Sequence, residues 1–337
     1  MAWGGLAIWL LAGLGLGGLG TWLARGYALR RQLIDQPGER RSHRQATPRG
    51  GGVSIVLVLL AAMLALALHA PARANELAWA GAGLLLVAGI GWIDDHRPLP
   101  ATWRLAVHVL AAGLLCTGLW HAGAGALDLA TAALAVVVLV NVWNFMDGID
   151  GIAASQAALV AIAYGLFAAQ GPVLWLGLAL AAGACGFLPF NFPRARVFLG
   201  DVGSGALGYA LAALLALSSL RAEPSARMLL LLPLLPFLLD ATLTLLSRIV
   251  RGERWWEAHT QHAYQAWARR HGHVPVTLSY ACAAAGASLA TFAMRSSSVA
   301  LIMVCYATFL VLGGMAWKLS RVRSMDRNPD TLGDGKP

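Results

Sequence analysis

Long apolar runs recur along almost the whole chain, and no other feature limits its fold as strongly. A helix that crosses a bilayer needs about 20 predominantly apolar residues. Eleven runs meet that length closely: 2–23, 53–69, 77–93, 104–120, 126–142, 154–170, 172–190, 203–219, 227–248, 274–294 and 297–317. They predict an all-α integral membrane protein with about eleven transmembrane helices. Of 337 residues, too few are left over for a large soluble domain. Charged residues make up only 12%, about half of the usual ~25%. A disordered chain, a disulfide scaffold and almost any soluble enzyme are thereby excluded. The expected organisation is one polytopic membrane domain over 1–320. Its loops are expected at 24–52, 94–104, 142–153, 191–202 and 249–273, with a tail over 321–337.

Charge placement adds an orientation. The chain carries 25 Lys and Arg against 16 Asp and Glu, a formal charge of +9. In a soluble protein this excess would point to nucleic acid. Here 21 of the 25 fall in alternate loops and the C-terminal segment. The opposite loops hold only Arg73, Arg221, Arg227 and Arg295. Lys and Arg accumulate on the cytoplasmic side of membrane proteins. The basic loops are therefore expected in the cytoplasm, with the N-terminus periplasmic and the C-terminus cytoplasmic, and no nucleic-acid partner is needed. The first apolar run has no basic residue before it, and its first positive residue, Arg25, follows it. That order fits a spanning helix better than a signal peptide. Cys116, Cys185, Cys282 and Cys305 each lie within an apolar run and are expected to be buried. No CxxC pair is present to mark a metal or redox site.

The polar material on the expected cytoplasmic side is unusual. Asp94 and Asp95 close the third run, and on a helix they project about 100° apart. They cannot serve one ligand from one direction. The plain alternative is a solvated helix end with Arg97 as partner. Asn141, Asn144, Asp147 and Asp150 recur every three residues at the end of the fifth run, followed by Gly151. Amide and carboxylate oxygens suit a hard cation such as Mg²⁺; a polar helix cap would need one such residue, not four. Asp201 lies between glycines at the start of the eighth run, where it can serve a metal and phosphate or simply cap a helix. The preceding sequence differs from the Gly-x-Gly-Asp pattern of an intramembrane aspartyl protease.

Two loops add cations. The segment 35–52 holds Arg40, Arg41, His43, Arg44 and Arg49 before Gly50-Gly51-Gly52. Arginine forks match phosphate, and glycines admit close backbone contact. Arg49, Gly51, Gly52 and Asn141 are accordingly candidate substrate contacts. The last loop carries Arg254, His259 and His262, the two histidines three apart, as on one helical turn. Two histidines alone are a weak zinc signal. Phosphate or sugar contacts, or an interfacial amphipathic helix, explain them better. Asp240, inside the ninth run, is either functional or an interhelical hydrogen-bond acceptor. His108 reads as structural.

The motifs DxPxxRxSHxxxxPRGGG, DD, NxxNxxDGxDG and GDxGS, in that order, resemble those of the polyprenyl-phosphate N-acetylhexosamine-1-phosphate transferases. This family includes WecA, TagO and MraY types and the eukaryotic dolichyl-phosphate enzyme. The resemblance implies transfer of N-acetylhexosamine-1-phosphate from a UDP-sugar to undecaprenyl phosphate with release of UMP. That reaction starts synthesis of a bacterial surface polysaccharide at the inner membrane, with the active site facing the cytoplasm. The resemblance further implies Mg²⁺, with Mn²⁺ as the alternative, held at Asn144 and Asp201. It implies a base or lipid-phosphate contact at Asp94 or Asp95, and roles near the nucleotide for Asp147 and Asp150. Arg254, His259 and His262 are implied near the diphosphate or sugar, and a homodimer is implied by relatives. WecA and TagO types carry a His-x-His-His run where this chain reads His262-Ala263-Tyr264-Gln265. The departure is similar to the WbpL-like branch that initiates O-antigen from 6-deoxy-N-acetylhexosamine nucleotides. It leaves GlcNAc, QuiNAc and FucNAc open.

The chemistry is coherent on physical grounds. The lipid phosphate must attack the β-phosphorus of an anionic donor, so cations are needed to offset repulsion. Its second pKa, about 6 for phosphoesters, leaves little work for a general base. Direct attack, with Asp94 or Asp95 orienting the phosphate, is expected; a covalent aspartyl intermediate at Asp201 is the rival. A cation-coupled transporter of a lipid-linked or nucleotide sugar is the alternative function. It would place carboxylates near the bilayer midplane, whereas most of the acids here fall on one face.

Overall fold

The structure, a computed structural model, describes residues 3–36, 45–220, 222–254, 257 and 259–325. Its helices are α1 (Trp3–Arg30), α2 (Val53–His69), α3 (Ala74–His96), α4 (Ala101–His121), α5 (Ala126–Met146), α6 (Ile152–Ala168) and α7 (Gly171–Asn191). They continue as α8 (Asp201–Ser219), α9 (Pro224–Leu229), α10 (Leu235–Val250), α11 (Ala263–His271), α12 (His273–Ala293) and α13 (Val299–Met325). The strands β1 (Ile34–Asp35) and β2 (Thr47–Pro48) pair antiparallel, Ile34 opposite Pro48. The protein is an all-α integral membrane protein.

Every predicted apolar run is helical over most of its described length. Among the described residues, nine segments are long and apolar enough to cross a membrane, and the apolar helices α2 and α6 have 17 residues each. At 1.5 Å per residue those two reach about 26 Å, slightly short of a ~30 Å hydrocarbon core. Three boundaries differ from expectation. Helix α1 runs on to Arg30 and α13 to Met325, beyond the apolar runs, because straight-chain basic residues also favour helix. The run at 227–248 is divided into α9, a 3₁₀ turn at Leu232–Leu234 and α10. Pro224, Pro233 and Pro236 lack the N–H that a continuous helix would require.

Helix α8 is the hub. In its apolar window 89% of residues are buried, against 17% in α1 and 6% in α13. Its sequence is dominated by Gly, Ala, Ser and Leu, and small residues let membrane helices approach closely. Gly203 is one such case: a Cβ there would sit 2.7 Å from Gly52 Cα. This contact seats the start of α2 on the first turn of α8. Cys116 and Cys305 are half-buried, but Cys185 and Cys282 lie on the exposed outer surface, so the expected burial fails for those two. An apolar helix face turned to lipid accepts cysteine as readily as a core does.

Candidate active site

The first N–H groups of a helix have no acceptor within it. Helix α8 begins at Asp201, after Gly200 at φ 72°, with no side-chain cap from its own N-cap residue. Asp95, from the end of α3, supplies the missing acceptors. Its Oδ1 accepts the Asp201 N–H at 3.0 Å and its Oδ2 the Val202 N–H at 3.1 Å. The carboxylate is 2% exposed and sits at the positive end of the helix dipole. Arg49 adds a hydrogen bond from Nη2 to the Asp95 carbonyl and places Nε 3.8 Å from Oδ1. Gly91 makes the approach feasible, since a Cβ there would lie 2.6 Å from the Val202 nitrogen.

Asp94 faces elsewhere, as its helical position requires. Its Oδ1 accepts the Leu99 N–H at 2.6 Å. Its Oδ2 accepts from Arg104 Nη1 at 3.1 Å, and the same nitrogen lies 3.1 Å from Asp201 Oδ2. Asp94, Arg104 and Asp201 thus form a partly open carboxylate–guanidinium–carboxylate bridge between α3, α4 and α8. Sequence reasoning passed over Arg104. A signal was available: a cation in the first turn of a helix opposes the dipole, so it needs an anionic partner.

Helix α5 contributes the asparagines. Asn144 Oδ1 accepts from Ser204 Oγ at 3.0 Å, which sets Asn144 against the first turn of α8. Asn141 Nδ2 donates to Val137 O at 2.7 Å, within its own helix. The helix ends at Met146, so the shared helical face does not extend to Asp147, the C-cap. Asp147 is half-buried, and its carboxylate has no hydrogen bond or ion pair among the described residues. Burial, reinforced by the Asp95 and Asp150 carboxylates, raises it to about 7. Asp150 instead fastens the turn after α5. Its Oδ2 accepts the Ala195 N–H at 3.2 Å, its Oδ1 lies 3.2 Å from His273 Nδ1, and its carbonyl accepts from Thr277 Oγ1 at 2.7 Å.

The Asp147 value has a consequence for stability. A carboxyl that binds its proton more tightly folded than unfolded stabilises fully below about pH 4, and that contribution is lost as pH rises through about 7. Asp147→Asn removes the loss. Melting in detergent at about pH 5 and about pH 8 should therefore show the variant gaining on the wild type at the higher pH, by on the order of 2 kcal/mol. An unchanged difference would contradict the placement of Asp147.

The last loop is anchored by Asp240, 3% exposed within α10. It accepts the Ala263 and Tyr264 N–H groups at 2.9 and 3.0 Å and the Tyr280 hydroxyl at 2.7 Å. Asp240 is therefore an interhelical acceptor that caps α11. Tyr264 then donates to the Phe145 carbonyl at 2.9 Å and ties α11 to the end of α5. His262 is the buried N-cap of α11, with Nδ1 3.6 Å from Asp240 Oδ1. His259 and His262 have ring centroids 4.9 Å apart, but residues 259–262 are not helical, which corrects the one-turn reading. Burial, with His262 and Arg248 adding, lowers His259 to about 4, so its imidazole is neutral at pH 7.

Two expected contacts lie differently. Arg254 is 73% exposed and pairs with Glu257 at 3.0 Å, and no contact joins it to the acids among the described residues. The N–H groups of Gly51 and Gly52 donate to the Phe198 and Leu199 carbonyls, both at 2.9 Å. They hold α2 to α8 and are not free for phosphate. Arg40, Arg41, His43 and Arg44 lie outside the described residues. His108 is buried, with no partner for Nδ1 among the described residues.

The donor set at the first turn of α8 is all oxygen: the Asp94 and Asp201 carboxylates and, beside Ser204, the Asn144 amide. That chemistry fits a hard cation, and one cationic nitrogen already sits between the two carboxylates. No group of three or more His, Cys, Asp or Glu among the described residues is arranged to hold a metal unaided.

Comparison with known proteins bears on the same stretch of chain. Residues 77–219, which carry Asp94, Asp95, Arg104, Asn144 and Asp201, match glycosyl transferase family 4. Over this segment the chain is similar to that family, and the relatives it matches include polyprenyl-phosphate sugar-phosphate transferases. It is 36% identical over 225 residues to the decaprenyl-phosphate N-acetylglucosaminephosphotransferase of Mycobacterium leprae, covering 57% of this chain and 56% of the relative. It is 37% identical over 203 residues to a phospho-N-acetylmuramoyl-pentapeptide-transferase of Moorella thermoacetica, covering 51% and 62%. A probable undecaprenyl-phosphate N-acetylglucosaminyl 1-phosphate transferase of Bacillus subtilis is 30% identical over 211 residues, covering 58% of each chain. The matches thus span little more than half the length of these relatives.

Proposed function

We propose that the protein transfers N-acetylhexosamine-1-phosphate from a UDP-sugar to undecaprenyl phosphate and releases UMP. The site would face the cytoplasm of a bacterial inner membrane, as the 21 basic residues on one side favour. The product would start a surface polysaccharide such as O-antigen, and the working unit would be a homodimer. The observation that carries the reading is the Asp94–Arg104–Asp201 bridge, set at a membrane border with Asn144 held against the first turn of α8.

Each residue has a task in this reading. Asp95 holds the N-terminus of α8 and thereby aims Asp201. Asp201 and Asn144 would hold Mg²⁺, or Mn²⁺ in its place, which supplies neutralisation of the donor diphosphate and of departing UMP. Asp94 orients the lipid phosphate, whose own charge makes it the nucleophile. Asp147 and Asp150 would lie near the nucleotide. His259, neutral at pH 7, offers hydrogen bonds to the sugar without adding charge. Positioning of two anions is the main catalytic contribution.

The test is UMP release by the purified protein with undecaprenyl phosphate, Mg²⁺ and, in turn, UDP-GlcNAc, UDP-QuiNAc and UDP-FucNAc. Release from at least one, dependent on the lipid, is expected. Release from none, or release that needs no lipid, would refute the reading.

A further inference from the structure

Arg104 sits where two acids would otherwise repel each other. Its Nη1 is 3.1 Å from both Asp94 Oδ2 and Asp201 Oδ2. This is a single nitrogen shared between two carboxylates, not the parallel two-bond fork that makes Arg–carboxylate pairs strong. Its Nε and Nη2 make no hydrogen bond among the described residues. The scaffold does not depend on the contact. Asp94 keeps the Leu99 N–H, and α8 is held separately by Asp95. Asp201 Oδ2 has the Arg104 Nη1 contact, and its carboxyl also lies within hydrogen-bond reach of that of Asp94.

We propose that Arg104 is a resident counter-cation: it occupies the cation position between Asp94 and Asp201 until a divalent metal displaces it, and its freed guanidinium then takes the donor diphosphate. The inference rests on the transferase reading above. A divalent ion on Asp201 would lie about 2 Å from its oxygens, and a guanidinium on the same carboxylate would be strongly repelled. The side chain is 29% exposed, so it has room to swing. It also springs from the first turn of α4, where the helix dipole disfavours a cation and favours an incoming anion. Once the acids are neutralised by metal, no other contact among the described residues holds the Arg104 side chain, and the anionic donor becomes its best partner. The protein would thus couple metal entry to donor capture.

The experiment is Mn²⁺ titration by electron paramagnetic resonance on detergent-purified protein without substrate, comparing wild type, Arg104→Gln, Arg104→Lys and Asp201→Asn. Removing a competing cation should tighten Mn²⁺ binding in Arg104→Gln by about fivefold or more. Arg104→Lys, which keeps the charge, should stay near the wild type. At saturating metal, the KM of Arg104→Gln for the UDP-sugar should rise about tenfold or more while its melting temperature holds. Equal or weaker Mn²⁺ binding in Arg104→Gln, with wild type binding and Asp201→Asn not binding, would overturn displacement and leave Arg104 a structural strap. Absent Mn²⁺ binding in the wild type, or equal binding in Asp201→Asn, would instead overturn the metal reading, and the proposal with it.

Discussion

Asp201→Asn is expected to lower UMP release by about 10²–10³-fold or more while the protein melts at its usual temperature in detergent. The carboxylate contacts Arg104 through its side chain, and an amide oxygen can still accept that bond. The fold is secured elsewhere: the backbone of Asp201 is bound by Asp95, and the glycines beside it set the packing of α2 and α3 on α8. What the substitution removes is a carboxylate oxygen at the point where a divalent cation would be held. Turnover near that of the wild type would show that the reacting phosphates lie elsewhere.

The second large effect separates two neighbours. Asp95→Asn is expected to destabilise the protein as well as inactivate it, because one of its two oxygens becomes a donor facing a buried N–H. An unsatisfied buried donor costs about 1–3 kcal/mol, and Arg49 loses a charge partner in addition. Asp95→Ala leaves both N–H groups unpaired and should cost more. Asp94→Asn should lose about 10²-fold in turnover with a smaller change in melting, since its one amide oxygen can keep the Leu99 N–H and the Arg104 contact it gives up is partly exposed. Thermal melts and UMP release on the same preparations decide between them. A normal melt for Asp95→Asn with a depressed one for Asp94→Asn would reverse the assignment.

The pattern of helices was legible because lipid imposes it: a backbone that cannot bond to water must be helical for about 20 residues. Hence all the apolar runs became helices, and the failures lie at their ends. There the competing effects are local, such as the prolines that divide 224–236 and the basic residues that extend α1 and α13. The motifs located the site, but not the division of labour within it. That Asp94 and Asp95 differ follows from helical geometry, yet which of them caps α8 depends on where Gly91 meets Asp201. Arg104 was hidden because its partners are 10 and 97 residues away in sequence. Asp240 was left open for the same reason, since its partners on α11 and α12 are fixed only by packing. The glycine triplet read as a phosphate cradle, and its N–H groups turned out to serve the junction of α2 with the segment before α8.

One measurement bears on the whole chemical reading. Lipid extracted after incubating the purified protein with undecaprenyl phosphate, Mg²⁺ and the accepted UDP-sugar can be weighed by mass spectrometry. A polyprenyl diphosphate carrying one sugar is expected, in amounts equal to the UMP released and absent with Asp201→Asn. UMP without that lipid, or lipid product formed equally by Asp201→Asn, would contradict a transferase built on these acids.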